Sequence, residues 1–449
     1  MAVYYRNENL FSEIYLEEIT AHAEDDGITS SLQVLKEYLD FSERDSLKSW
    51  SRSYIHEVLA ALGFIAKDKD DNLAFLYPMG DIEKPVSVCY KVLPGESLEN
   101  TTMGRNWAEK IIRSLRENDL QWGLLTNGNV WRIYHLDESM PYETYLEIDL
   151  ENILAQQAKD AYQIFHKFMK AENFVTGEDG QCQFDHFKQE SKDKVDYIES
   201  ELANALKQRE EGGQGVLSDL CMGYVEQLRE TGQYDLNDEA SRNKIYHGAM
   251  LYMFRLLFLF YADARGLLSD ENRNQLDEVR EKAVRLFKNE INIASEFVLW
   301  DILETIFVDI DQTYNGGLFS PQESEFTLFI EETRIKNIFL SSVLYHMTTY
   351  SEKDGKERLI SYRDMGVRHL GTLYEGLLEH KLFIAEEDTE VKIKKGVIEF
   401  TPVSQGGKLR QGQYIPAGSV YFSSDPSERK ATGSYYTPEY IVDYIVQST

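Results

Sequence analysis

The spacing of apolar positions changes character three times along the 449-residue chain. Leu10, Phe11, Ile14, Tyr15 and Ile19 recur at helical spacing, so residues 1–50 are expected to form helices that pack on the next domain. Residues 51–150 begin with an amphipathic helix from Arg52 to Leu62, which Gly63 should end. Four short apolar runs follow at Leu73–Tyr77, Val86–Val92, Gly123–Thr126 and Val130–His135. These read as strands, with Asn127-Gly128 as a tight hairpin turn between the last two. Trp107–Leu115 supplies a helix between the second and third runs, giving a small α/β layer fold. Residues 151–384 return to long amphipathic periods, such as Ala155–Ala171, Ser191–Arg209 and Leu276–Ile291, and predict an all-helical domain. Residues 385–449 revert to short strands and glycine-containing loops before one last helical pattern. The fold class expected is α+β and multidomain: a small α/β N-terminal domain followed by a mostly helical one.

One stretch, Leu251–Ala262, is apolar on nearly every face yet carries Arg255. It is too short to span a bilayer and predicts a buried core helix. A buried guanidinium needs a partner, so a carboxylate from another helix is expected beside Arg255.

Composition narrows the functional classes. Apolar residues make up 42% and aromatics 12%, which supports real cores and argues against disorder. The formal net charge of −30 argues against a protein that coats DNA non-specifically, because phosphate binding relies on clustered Lys and Arg. It leaves room for a local basic face, or for carboxylates arrayed as a DNA mimic. Cys89, Cys182 and Cys221 are odd in number and lack metal-ligand spacing, which points to a reducing cytoplasm with no membrane segment.

Candidate chemistry lies first in residues 51–150. The run Pro85-Val86-Ser87-Val88-Cys89-Tyr90-Lys91 is a strand ending in a lysine, with Cys89 two residues before it. The preceding strand opens at Asp71 and Asn72, and Glu57 lies on the earlier helix. This pattern resembles restriction nucleases of the PD-(D/E)xK class. In those enzymes two carboxylates hold Mg²⁺ and the lysine supports the attacking water. The resemblance puts Asn72 nearest the Asp position, Cys89 at the acidic position and Lys91 at the lysine. A thiol is a poor ligand for a hard cation, so the site reads as degenerate. Asp71, Asp81 or Glu83 would have to substitute for an active Mg²⁺ site. The bland reading makes Lys91 a strand-end cap and the carboxylates solvated turn residues.

The second candidate is Gly433-Ser434-Tyr435-Tyr436-Thr437-Pro438, followed by Ile441, Val442, Ile445 and Val446 on one helical face. It resembles the opening motif of N6-adenine DNA methyltransferases. The resemblance implies that Tyr435, Tyr436, Thr437 and Pro438 line a pocket for S-adenosylmethionine. Backbone donors and aromatic faces suit that molecule's carboxylate and cationic centres. Trp122–Tyr134, Met250–Leu268, Tyr314–Phe319 and Leu370–Glu379 follow in the order seen in type IIG restriction-modification enzymes and BREX-type phage-defence methyltransferases. The likeness covers about residues 5–20, 45–150, 245–380 and 429–449.

The implied protein is therefore the N-terminal portion of a DNA adenine-N6 methyltransferase, with double-stranded DNA and other defence-system subunits as the partners the resemblance implies. The Asn-Pro-Pro-Tyr loop that receives a flipped adenine does not occur in these 449 residues, so this portion alone is expected to be inactive. Two alternatives stand beside it: an active type IIG endonuclease with Mg²⁺-dependent cleavage, and a non-catalytic docking scaffold of a defence complex.

Overall fold

The computed structural model describes residues 4–21, 35, 47–93, 96–99, 101–102, 105–136, 144–206, 215–314, 317–320, 324–352, 355–365, 380–394, 397–409 and 414–424. The chain forms two compact units, Met1–Asp196 and Tyr197–Thr449. The fold is α+β, as the periodicity implies.

The first unit is built on a seven-stranded mixed sheet. Its strands are β1 (Tyr5–Glu8), β2 (Phe64–Asp68), β3 (Leu73–Pro78), β4 (Ser87–Lys91), β7 (Trp122–Thr126), β8 (Val130–His135) and β9 (Tyr145–Asp149), after a minor hairpin of β5 (Thr101–Thr102) and β6 (Arg105–Asn106). The order across the sheet is β1-β9-β8-β7-β4-β3-β2. Only β4 and β7 run parallel; the other neighbours are antiparallel.

A parallel pair needs a crossover, and α3 (Trp107–Glu117) supplies it. Asn106 caps α3 by accepting a hydrogen bond from the Ala108 N–H. Before β2 comes α2 (Leu47–Ala61). The central succession is thus α2-β2-β3-β4-α3-β7. Gly128, at φ +91°, makes the expected turn between β7 and β8.

Both sheet faces are covered, which is why β7 reads as an unbroken apolar run with every residue buried. Trp107, Ile111 and Leu115 of α3 pack on one face against Val88, Leu125 and Tyr134. On the other, Cys89, Leu124, Trp131 and Ile133 meet α2 and α1 (Glu13–Ala21). That core also takes in α4 (Leu150–Gln156), α5 (Lys159–Met169) and the start of α6 (Gln183–Leu206).

Several elements differ from the sequence reading, among them Thr349–Ser351, Glu357–Leu359 and His380–Ile384, which are strands inside the stretch expected to be all helical. Tyr5–Glu8 is a strand, because it finds β9 as an antiparallel partner. Phe64–Asp68 and Tyr145–Asp149 are strands that the reading left unassigned, each only five residues long. The helical residues 150–196 belong with the sheet, where they close its otherwise exposed apolar face.

The second unit is mostly helical: α7 (Val216–Thr231), α8 (Glu239–Ala264), α9 (Asp270–Phe287), α10 (Val298–Tyr314), α11 (Glu325–Glu332) and α12 (Asn337–Thr348). The last of these packs on α7, α9 and α10, while α8 packs on α7 and α11. By length and composition α8 could cross a membrane, but most of its apolar window is buried inside this unit.

Beyond the helices, β10 (Thr349–Ser351) pairs with β11 (Glu357–Leu359). β12 (His380–Ile384) and β16 (Val420–Ser424) form a second pair that leans on α8 and α7. β13 (Thr389–Lys394), β14 (Val397–Pro402) and β15 (Tyr414–Ile415) make a three-stranded sheet.

The α8–α11 contact depends on Gly248. A Cβ there would lie 2.6 Å from Cδ1 of the buried Phe329 ring. Gly248→Ala is expected to cost about 1–3 kcal/mol through overpacking, read as a lower thermal midpoint.

Candidate functional site

The sequence-predicted nuclease residues fall at the end of the sheet where β4 finishes and β3 begins. Strand pairing sets Ala74 opposite Cys89 and Leu73 opposite Tyr90. Just beyond that ladder, the Lys91 N–H donates to the Asn72 carbonyl at 2.6 Å, and the Asn72 amide donates to the Lys91 carbonyl at 2.8 Å. Asn72 therefore stands directly across from Lys91, as the register argument supposes. Its side chain is used to clamp the strand ends.

Lys91 shares a face with Cys89 and turns toward α2. Its side chain is only 5% exposed, and its ammonium is bonded to the Asp68 carboxylate at the end of β2. The same Asp68 Oδ1 meets His56 Nε2, from α2, at 3.1 Å. Burial by itself would raise the Asp68 carboxyl, but its bond to Lys91, and secondarily to His56, holds it below the ordinary carboxylate value. With a depressed folded-state value, the stability from this contact is fully present above about pH 4, the unfolded Asp value. It should fade as pH falls below that, visible as an acid shoulder in unfolding midpoints that Asp68→Asn removes.

Cys89 is fully buried. Burial pushes its thiol up to about 12, partly offset by Lys91, so at neutral pH it is an uncharged core side chain. A neutral thiol is neither a metal ligand nor a nucleophile. The remaining candidates do not converge on Lys91. Glu57 is exposed. It lies one residue beyond His56, and that step of about 100° around a helix carries it away from the sheet. Asp71 is exposed in the β2–β3 turn. Asp81 and Glu83 lie in the β3–β4 turn, at the opposite end of these strands, where Asp81 accepts from the Glu83 N–H. Among the described residues, no group of three or more His, Cys, Asp or Glu side chains could hold a metal ion. The described residues do not fit a Mg²⁺ site, since the Asp68 carboxylate beside Lys91 is already engaged by Lys91 and His56.

Sequence reasoning missed Asp68 and His56. Asp68 ends a strand whose last two residues, Lys67 and Asp68, blend into the polar turn Lys69–Asn72, so the strand itself went unassigned. His56 was passed over for its acidic neighbour Glu57.

The opposite face carries a second buried cation. Arg132 bonds Glu99 and Glu147, each at 2.5 Å, and lies 4.1 Å from the centre of the Tyr145 ring. This cluster is closed upon itself and ties β8 to β9. A cavity of about 580 Å³, lined by Tyr4, Tyr5, Thr20, Ile148 and Lys159, sits at the β1–β9 edge, away from Lys91. None of the candidate residues lines it.

In the second unit, Arg255 meets the expected carboxylate: Nη1 lies 3.4 Å from Glu331 Oε1, on α11. Its other donors reach the carbonyls of Leu318 at 2.9 Å and Phe319 at 3.3 Å. Two segments singled out by sequence, the apolar helix and the Tyr314–Phe319 stretch, are thereby joined by one side chain. Tyr435, Tyr436, Thr437 and Pro438 lie outside the described residues, as does Leu370–Glu379. Comparison of the chain with protein-family models, curated proteins and solved structures finds no match.

Proposed function

We propose that this chain is the N-terminal portion of a DNA adenine-N6 methyltransferase from a restriction-modification or phage-defence system. It supplies a nuclease-like domain that no longer cleaves and a helical connector that carries the methyltransferase core. The observation that carries this reading is the succession α2-β2-β3-β4-α3-β7 with a single parallel pair. This helix–strand layering supports the nuclease-like reading, as does Lys91, which lies beside a carboxylate at the end of its strand. That unit precedes a helical unit and then the Gly-Ser-Tyr-Tyr-Thr-Pro motif in one chain. The buried neutral Cys89 supports loss of cleavage. In the parent protein S-adenosylmethionine would donate the methyl group, with Tyr435, Tyr436, Thr437 and Pro438 in its pocket. Double-stranded DNA is the substrate.

The test uses the native gene product that carries this chain, incubated with DNA and S-adenosylmethionine labelled in its methyl group. Label is expected on adenine N6, and none is expected with residues 1–449 alone. Absence of labelled adenine from the native product across varied DNA would remove the reading. With Mg²⁺ and no methyl donor, uncut DNA is expected. Cleavage that disappears in Lys91→Ala would instead establish an active endonuclease. DNA binding by residues 1–449 should be weak at physiological salt, given the net charge of −30.

A further inference from the structure

Between α7, α8 and α10 the second unit buries polar atoms that find no hydrogen-bond partner: the hydroxyls of Tyr224 and Tyr252 and Oε1 of Glu304. Both tyrosines have no exposed surface. The Tyr252 ring stacks on Trp300 at 4.7 Å and meets Phe307 edge-on at 5.7 Å. Trp300, Glu304 and Phe307 lie four and three residues apart, so one face of α10 presents the carboxyl between the two rings that hold Tyr252. Tyr224 approaches the same Trp300 from α7 at 6.4 Å. The hydroxyls and the carboxyl act on one another electrostatically, yet make no hydrogen bond to one another.

We infer that Tyr224, Tyr252 and Glu304 hold an ordered water molecule in a polar chamber of the helical unit. Two tyrosine O–H donors and one carboxyl oxygen as acceptor match what a single water offers: it accepts twice and donates once. Three bonds are the usual number for a buried water. Left unmet, each of these groups would keep its full desolvation cost.

The chamber also makes Glu304 the unit's proton-responsive group. Its carboxyl is pushed up to about 7, first by burial and then by Glu331, against the lowering effect of Arg255. Asp301 on its own helix adds to the rise, and Arg334 pairs with Asp301. Burial keeps both tyrosines protonated as donors. α9 and α12 also pack on α10, where Asn272 donates to Asp309 and Asn337 accepts from the Leu299 N–H.

The sign follows from the raised value. The folded state holds a proton that the unfolded chain releases near pH 4.3. Stability from Glu304 is therefore full below that pH and is lost as pH rises toward 7.

The test is a crystal structure of residues 1–449 near pH 6, together with unfolding midpoints of wild type and Glu304→Gln from pH 5 to 7.5. Ordered density within hydrogen-bond distance of at least two of the three groups is expected. The midpoint of the Gln variant should gain on wild type by several degrees as pH rises, because only the ionised carboxylate is penalised. A dry chamber, or direct bonds among the three side chains, would overturn the water. A gap between the two midpoints that does not change with pH would overturn the proton. Should Gln weaken the unit at every pH, the slope of that gap still decides.

Discussion

Asp68→Ala is expected to destabilise the sheet unit by about 3 kcal/mol, the low end of the range for removing one partner of a buried ion pair. The cost arises mainly at Lys91, whose ammonium is held in a nearly closed site and would lose its carboxylate. It stays at the low end because Asp68 itself sits at the rim, about a quarter exposed. Lys91→Met should cost about 1 kcal/mol or less, since a hydrated Asp68 keeps His56 and the methionine fills the same volume. The double variant Asp68→Leu/Lys91→Met should return close to wild type, because a well-packed apolar pair often replaces a buried ion pair without loss. Trp50, Trp107, Trp122 and Trp131 precede Asp196 and only Trp300 follows it, so tryptophan fluorescence during denaturant unfolding reports chiefly on this unit. A double variant as unstable as Asp68→Ala would mean that the pair does more than satisfy its own charges.

The second large effect is expected from Arg255→Met, at about 3–5 kcal/mol. Its guanidinium has no exposed surface and serves three acceptors at once, with the Phe307 ring 5.7 Å away. Removing it strands the Leu318 and Phe319 carbonyls, while Glu331, about a third exposed, can turn to water. Lysine should not rescue, because one ammonium cannot reproduce a planar fork spread over three acceptors. For a unit of this size the thermal midpoint should fall by about 6–15 °C. Limited proteolysis offers a local readout: new cleavage is expected around Leu318–Phe319, where the anchor is lost. An unchanged midpoint with unchanged proteolysis would show that Arg255 is not the clasp for that loop.

Sequence reasoning found the pieces of the candidate site better than their assembly. The resemblance set Cys89, Lys91 and Asn72 as the members of one site, and the strand pairing does put Asn72 across from Lys91. The counter-ion was missed. Asp68 reaches Lys91 across β3, from a strand two positions away in the sheet, and no local period reports a contact made between non-adjacent strands. On α2 the reading names Glu57, whereas His56 is the residue that reaches Asp68. The helix turns the imidazole inward to Asp68 and leaves the acid to solvent. At Arg255 the argument went further, because a charge inside an apolar helix must be paired wherever the partner lies. That need predicted a carboxylate from another helix, although not the two loop carbonyls.

By itself the sequence determined the helical and strand periods, the Asn127-Gly128 turn, the central place of α8 and the pairing demand of Arg255. All of these follow from local geometry or from the cost of burying charge. Only the tertiary structure decided that Tyr5–Glu8 is a strand, that residues 150–196 cover the sheet, and that Asp68 and His56 complete the lysine's surroundings. It alone brought Tyr224, Tyr252 and Glu304 together without direct bonds. The reason is common to these outcomes: each depends on which distant surface an element covers, and burial is a property of the pair of surfaces rather than of either segment.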